Sequence, residues 1–299
     1  MNKKIVFIIN PKSGTGKHAK VRMAIEKYID STKYDFEIME TEYKGHAKEI
    51  AKQAVKDKIY MIVSVGGDGT LNEISKALAH TNVILGIIPA GSGNGLAHHL
   101  KISTNPRKAI DVINNGKIAE IDTVLLNESR FVSIAGVGFD AFVAWHYDKS
   151  EKRGFYPYFK LAFKNFFTYK PKKYIIHINN ETIERRAFFI TFANSSQWGY
   201  NTKIAPTASL KDGKIDVCIF KTPSVVKALL LVPKLFAGKI NHSSNMETIQ
   251  CDCCQVYRSS NKKMHIHIDG EKKKRKQTVT LRLEPKSLKI IVPQNYHNE

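Results

Sequence analysis

Two glycine-rich stretches carry the residue types that phosphate chemistry needs. Val63-Ser64-Val65 runs into Gly66-Gly67-Asp68-Gly69-Thr70-Leu71-Asn72-Glu73, an apolar strand that breaks into a glycine turn and then a helix. Glycines let backbone approach a phosphate closely, and free N–H groups at a helix start add donors and a favourable dipole. Thr70 is placed to cap that helix. Asp68 is the informative residue, because a carboxylate beside phosphates repels them unless it holds Mg²⁺ or accepts a proton from an attacking hydroxyl. A second turn of this kind, Pro89-Ala90-Gly91-Ser92-Gly93-Asn94-Gly95-Leu96, follows the next apolar run. Late in the chain, His267-Ile268-Asp269-Gly270-Glu271 sets two carboxylates around a glycine at a strand end. An alcohol attacking phosphorus must lose its proton, and either carboxylate can accept it or position Mg²⁺. Taken singly, the second and third stretches also read as ordinary turns.

The opening Asn10-Pro11-Lys12-Ser13-Gly14-Thr15-Gly16-Lys17 is a polar loop able to meet a nucleotide through Asn10 or the backbone of Ser13–Gly16. It is not a Walker A loop: Pro11 stands where that motif requires glycine, and His18 where it requires the metal-binding Ser or Thr.

The elements that must position these residues alternate over the first part of the chain. Apolar strands at 5–9, 36–39, 59–65 and 83–88 are interleaved with helical patterns at 17–31, 45–57, 71–79, 94–100 and 106–115. That order predicts a doubly wound α/β domain over residues 1–122, with the glycine turns at strand ends where such sheets place ligands. After Asp122 the pattern turns β-rich, with strands expected at 123–126, 130–136, 173–179, 186–193, 214–220, 247–256, 263–268 and 278–283. A second, mainly antiparallel domain over 123–284 is expected, with 285–299 returning to the first. Lys272-Lys273-Lys274-Arg275-Lys276 reads as a solvated hairpin turn between strands. Arg153–Lys173 interleaves aromatics with lysines, and within it Phe155–Lys173 is the best candidate for a membrane surface, against an ordinary core helix with outward lysines.

Forty-seven Lys and Arg against 27 Asp and Glu give a net charge of +20, which favours an anionic partner. No helix-turn-helix, RNP or zinc-finger pattern supports nucleic acid. Four cysteines are too few and too clustered for a secreted disulfide framework, so a reducing cytoplasm is expected. On one strand Cys251 and Cys253 would share a face and Cys254 the other, which argues against a zinc site with His242, His265 and His267. The apolar stretch Val225–Ala237 is interrupted by Lys227, Pro233 and Lys234, so any membrane contact is expected to be peripheral, at the inner face.

In this combination and order, the early Asn-Pro-x-Ser-Gly, the Gly-Gly-Asp-Gly-Thr turn, the Pro-x-Gly-Ser-x-Asn turn and the late Asp-Gly-Glu, the chain resembles the diacylglycerol kinase catalytic-domain superfamily. That group takes in soluble bacterial lipid kinases and sphingosine kinases and is related to NAD kinases. The resemblance runs from Lys3 to about Pro293. It implies a nucleotide-binding α/β domain, a β-sandwich second domain, ATP and Mg²⁺ as cofactors, and phosphoryl transfer to the hydroxyl of a diacylglycerol or a sphingoid base.

Carried over by position, nucleotide contacts fall on Asn10, on Thr41 before Lys44-Gly45-His46-Ala47, on Gly66, Gly67, Asp68, Gly69, Thr70, Leu71 and Asn72, and on Ser92. Asp269 and Glu271 would be catalytic, with Asp68 helping to hold Mg²⁺ or the acceptor hydroxyl. A Mg²⁺ site falls on the Asp-Gly turn at Asp212, with carbonyls from Ser209 and Lys214. Asp122 matches an acid near the domain junction. Gly95 departs from the Asp that soluble bacterial diacylglycerol kinases place after the second turn's Asn, and is closer to sphingosine kinases; the acceptor lipid stays open. The partner expected is a lipid at an anionic membrane surface, with a homodimer as an admissible assembly. The competing readings are an NAD kinase-like small-molecule kinase and a non-catalytic basic membrane-binding protein.

Overall fold

The computed structural model describes residues 2–14, 18–147, 155–260 and 262–296. The chain forms two compact units, residues 1–122 with 285–299 and residues 123–284.

In the first unit, strands β1 (Lys3–Ile9), β2 (Tyr34–Glu40), β3 (Met61–Gly66) and β4 (Ile84–Pro89) form a parallel sheet in the order β2-β1-β3-β4. Every residue of β3 and β4 is buried. Such uninterrupted burial marks strands covered on both faces, and each fully buried aliphatic side chain contributes roughly 1.5–3 kcal/mol. The covers are α1 (His18–Tyr28), which packs with α5 (Pro106–Asn115), and α2 (His46–Lys56), which packs with α3 (Asp68–Leu78). A short α4 (Gly95–His99) precedes α5. Asn105 caps α5, its side chain accepting from the Arg107 N–H at 3.0 Å with Pro106 at the first helical position. Strand β5 (Lys117–Leu126) leaves this unit. Asp122, fully buried, accepts the Lys286 N–H at 2.7 Å and so fixes the returning end of the chain.

The second unit begins with β6 (Ser129–Phe131), β7 (Ile134–Gly138), α6 (Phe139–Tyr147) and α7 (Phe155–Phe166). Next come β8 (Lys172–Ile178), β9 (Glu181–Ala187), β10 (Phe189–Ala193), β11 (Gln197–Gly199), β12 (Thr202–Lys203), β13 (Ile215–Phe220) and α8 (Val225–Ala237). It ends with β14 (Met246–Cys251), β15 (Cys253–Arg258), β16 (Met264–Ile268), β17 (Glu271–Lys276) and β18 (Thr278–Val292), whose last half lies in the first unit, parallel to β4 with Ile290 opposite Leu85. Six strands form an antiparallel sheet in the order β14-β13-β10-β7-β16-β17. The first half of β18 pairs antiparallel with β15, β15 with β8 and β8 with β9. The inner faces of these two layers meet in one core that includes Val137, Phe192 and Val217 from one layer and Tyr174, Val256 and Leu281 from the other. This is a β-sandwich. The six-stranded sheet has a second apolar face, where Phe188, Phe189 and Phe220 pack with Phe139 and Val143 of α6 and Leu231 of α8.

Three sequence expectations change. The lysine run 272–276 is not a turn but the edge strand β17, paired with β16; the turn is Asp269-Gly270. Lysines on an edge strand block pairing with another chain, so the charge pattern belongs to negative control of the edge rather than to a loop. The expected strand 247–256 breaks at Asp252, which resets the alternation: Cys251 and Cys254 are buried and Cys253 is exposed. The expected strand 130–136 likewise divides into β6 and β7. Among the described residues, no helix is long and apolar enough to cross a membrane.

Candidate active site

Three loops of the first unit interlock at the C-terminal ends of β1, β3 and β4. Gly66 O accepts the N–H groups of Ala90 and Gly91 at 2.8 and 3.1 Å, tying the two glycine turns together. Their backbones touch: a side chain at Gly67 would lie 3.2 Å from Gly91 Cα, and one at Gly91 would collide with Gly67 Cα. Gly14 is equally confined, since its missing side chain would overlap the Ala90 carbonyl, and its φ of +66° suits glycine. These close approaches explain the glycines on steric grounds.

Helix α3 starts at Asp68, earlier than the expected Leu71, with Gly67 as N-cap and no side-chain cap. By position, the amides of Asp68, Gly69 and Thr70 lack intrahelical acceptors, and the first such bond runs from Leu71 N to Gly67 O at 3.1 Å. The result is an anion-binding helix terminus. Thr70 therefore lies inside the first turn and is not the cap. It is buried, its hydroxyl receives the Asn10 Nδ2 hydrogen bond at 3.0 Å, and only a glycine at 66 leaves room for it.

Asp68 is held by the opposite turn. Its Oδ1 accepts the Gly95 N–H at 2.8 Å, and a side chain at Gly93 would meet Oδ2 at 2.7 Å. Asn94 shapes that turn from the left-handed region, φ +52°, with its amide closing on Gly91: Oδ1 accepts the Gly91 N–H at 3.1 Å and Nδ2 donates to the Gly91 carbonyl at 2.8 Å. Asn10 also accepts the Lys12 N–H at 3.0 Å. Ser92 is exposed at the tip. Thr41, buried, donates its N–H to Ile9 O at 2.9 Å, and beyond it the Gly45 N–H reaches Glu73 Oε1 of α3 at 2.9 Å. Leu71 and Asn72 point inward: Leu71 enters the core, and the Asn72 side chain accepts from Lys76. Of the expected loop 13–16, only Ser13 and Gly14 lie within the described residues.

In the second unit, the β16–β17 hairpin separates the two late carboxylates. Asp269 is buried at a φ of +46°, and its carboxylate accepts backbone N–H groups of Ser133 and Ile134 at 3.1 and 3.0 Å, with Val132 at 3.4 Å. It therefore anchors the start of β7. Glu271 is partly exposed and accepts Lys273 Nζ at 3.1 Å. Beneath the hairpin, His267 Nε2 lies 3.1 Å from Asp140 Oδ2, which also accepts the Thr191 hydroxyl at 3.1 Å. Gly136 is the floor of this cluster, since a side chain there would overlap both residues.

The third set sits on an exposed turn. Gly213 adopts φ +71°, the Lys214 N–H donates to Asp212 Oδ1 at 3.0 Å, and the Lys211 N–H to Ser209 Oγ at 3.3 Å. Nearby Asp216 is pushed above the ordinary carboxylate range, chiefly by burial, with the charge of Asp212 adding to it. An oxygen-only turn with two mutually repelling carboxylates suits a hard cation such as Mg²⁺, with waters completing its shell. Among the described residues no three His, Cys, Asp or Glu cluster as a metal site.

Sequence reasoning did not foresee that Gly93 and Gly95 position Asp68, or that Glu73 holds Gly45. The only available signal was the density of glycine and asparagine in the second turn, which does not say what approaches it.

The comparisons with known proteins agree with this geometry. Residues 4–126 match the model of the diacylglycerol kinase catalytic domain, and residues 133–292 that of the YegS C-terminal NAD kinase beta sandwich-like domain. The chain is 28% identical to a diacylglycerol kinase of Bacillus subtilis (strain 168), over 90% of each chain. It is 25% identical to a diacylglycerol kinase of Staphylococcus epidermidis, over 100% of this chain and 95% of the relative. Among solved structures, a diacylglycerol kinase from Bacillus anthracis str. Sterne superposes with a TM-score of 0.75 at 18% identity, covering 99% of this chain and 98% of that one. With both of its units matched in order by the family's two models, this chain belongs to the diacylglycerol kinase family of enzymes.

Proposed function

We propose that the protein transfers the γ-phosphoryl group of ATP to a lipid hydroxyl, of a diacylglycerol or a sphingoid base, in a Mg²⁺-dependent reaction at an anionic membrane surface. The observation that carries this reading is the interlocked pair of glycine turns at the start of α3, with Asp68 fixed beside the helix-terminal amides. Those amides, with Gly66, Gly67, Gly69 and Thr70, bind phosphate oxygens, and Asn10, Thr41 and Ser92 border the nucleotide. Leu71 and Asn72 support that turn from the core side. A bound Mg²⁺ would neutralise charge developing on the transferred group. Asp212, with carbonyls of Ser209 and Lys214, is the candidate holder of such an ion, and Asp68 the candidate for orienting the acceptor or a metal.

Glu271 accepts the proton of the acceptor hydroxyl as it attacks phosphorus, since Asp269 is already committed to backbone donors. Membrane contact falls to α7 and the residue after it, where Tyr156, Phe159, Phe163 and Phe167 are exposed beside Lys160 and Lys164. Aromatics among lysines suit a headgroup interface. Gly95, donating its N–H to Asp68 where relatives of the resemblance carry an acid, leaves the choice between the two lipid classes to experiment.

The test is incubation with γ-labelled ATP and Mg²⁺ over diacylglycerol, sphingosine and NAD, each presented separately. Label in a lipid is expected; label in NAD alone would replace this reading with an NAD kinase-like one.

A further inference from the structure

The second unit contains a cavity of about 410 Å³ that the phosphoryl-transfer reading does not use. Its walls bring together Lys170 just before β8 and Lys172 at its start, Arg258 from the end of β15, Lys263 before β16 and Arg275 from β17. Tyr169 and Tyr174 complete one side. We propose that this cavity binds a phosphomonoester dianion, whether as a lipid headgroup or as a free phosphate compound.

Several observations converge on an anion. Five cationic side chains from four separate places in the chain line one cleft, and among the described residues no carboxylate lines it. Among the described residues, none of the five has an ion-pair partner. Lys172 and Arg275 rest instead over aromatic rings, of Tyr169 at 5.4 Å and Trp145 at 5.8 Å. The buried Nε of Arg258 has no hydrogen-bond partner. A buried guanidinium N–H without an acceptor is costly, and an anion in the cavity would supply one.

The like charges are felt within the group. Lys172 is lowered by burial and then by Arg258 and Lys170, and His265, on the same wall, by burial and then by Arg275. Tyr169 is pushed up to about 12, mainly by burial, so its hydroxyl stays a donor at neutral pH. Two guanidiniums, ammonium groups and a phenol match the oxygen count and double charge of a phosphomonoester better than a single carboxylate. Thr168, two residues past the end of α7, also lines the cavity, so a headgroup presented by a membrane is one source and a soluble phosphate the other.

Two binding measurements on the full chain, both without nucleotide, test this. The first is calorimetric titration with inorganic phosphate, using sulfate as comparator. The second is flotation with phosphatidylcholine vesicles carrying phosphatidic acid, a monoester, or an equal fraction of phosphatidylglycerol, a diester. Each is repeated with the pair Arg258→Gln and Arg275→Gln, and with Lys170→Gln and Lys263→Gln, which alters only exposed positions and so guards against misfolding. The expected result is preference for phosphate over sulfate, or for phosphatidic acid over phosphatidylglycerol, weakened about tenfold or more in both pairs, the size of losing one charge-assisted contact. Response to phosphatidic acid alone would identify the lipid source, and response to both the bare phosphate group. No preference in either measurement, or a preference unchanged in both variant pairs, as phosphate bound only at the glycine turns would give, overturns the proposal. Because ATP is absent throughout, a failure of lipid phosphorylation would leave this result untouched.

Discussion

Asp68 and the two late carboxylates carry different burdens. Asp68 is confined by Gly93, whose added side chain would press on Oδ2 at 2.7 Å. Gly93→Ala is expected to lower kcat/KM about 10- to 100-fold while shifting Tm by only a few degrees, because small misplacement of a reacting-site group is costly. Steady-state kinetics beside a melting curve checks it. Asp269 satisfies backbone donors at the start of β7, so Asp269→Ala leaves buried N–H groups unpaired and is expected to destabilise by about 2–4 kcal/mol, read by denaturant unfolding. Glu271→Gln should leave stability nearly unchanged and remove turnover. At this scale the run 66–73 was legible because its glycines, its carboxylate and its helix are contiguous. The division of labour between Asp269 and Glu271 was not, since the donors that occupy Asp269 come from a strand far away in the chain.

Among the elements, the parallel strands of the first unit were readable because each is a short apolar run between helical periods. The second unit was less so. β17 is a strand by pairing rather than by composition, and Asp252 breaks an alternation that looked continuous. The sandwich layers are also joined by a pair invisible in sequence: Arg185 of β9 donates Nε and Nη2 to Glu247 of β14 at 2.9 and 2.8 Å. That hydrogen bonding holds the Glu247 carboxyl below its ordinary range. A depressed folded pKa gives stability that is present above the unfolded value near 4.5 and lost as pH falls through the folded one. Both partners are partly exposed, so the effect is roughly 0.5 kcal/mol. Glu247→Gln should therefore lower Tm slightly at pH 7, and the difference should close in acid below the folded pKa. On α7, Phe159→Ser with Phe163→Ser should reduce vesicle binding several-fold without lowering Tm, as these rings are exposed.

Across the whole molecule, the net charge of +20 and the family's two matched domains point the same way. The charge predicted an anionic partner, yet it did not say where the cations gather: Arg258 ends β15, Lys263 precedes β16 and Arg275 lies in the basic run of β17, and only their pairing in the fold brings them together. Association with anionic vesicles should weaken steeply between low and physiological salt if surface charge drives it. The most direct test of the proposed chemistry is the rate of label transfer from γ-labelled ATP to diacylglycerol or sphingosine, measured for the parent and for Asp68→Asn. The expected result is lipid phosphorylation by the parent and a rate lower by about two orders of magnitude or more in the variant, with the fold retained. Equal rates in the two proteins, or no lipid labelled by the parent, would contradict it.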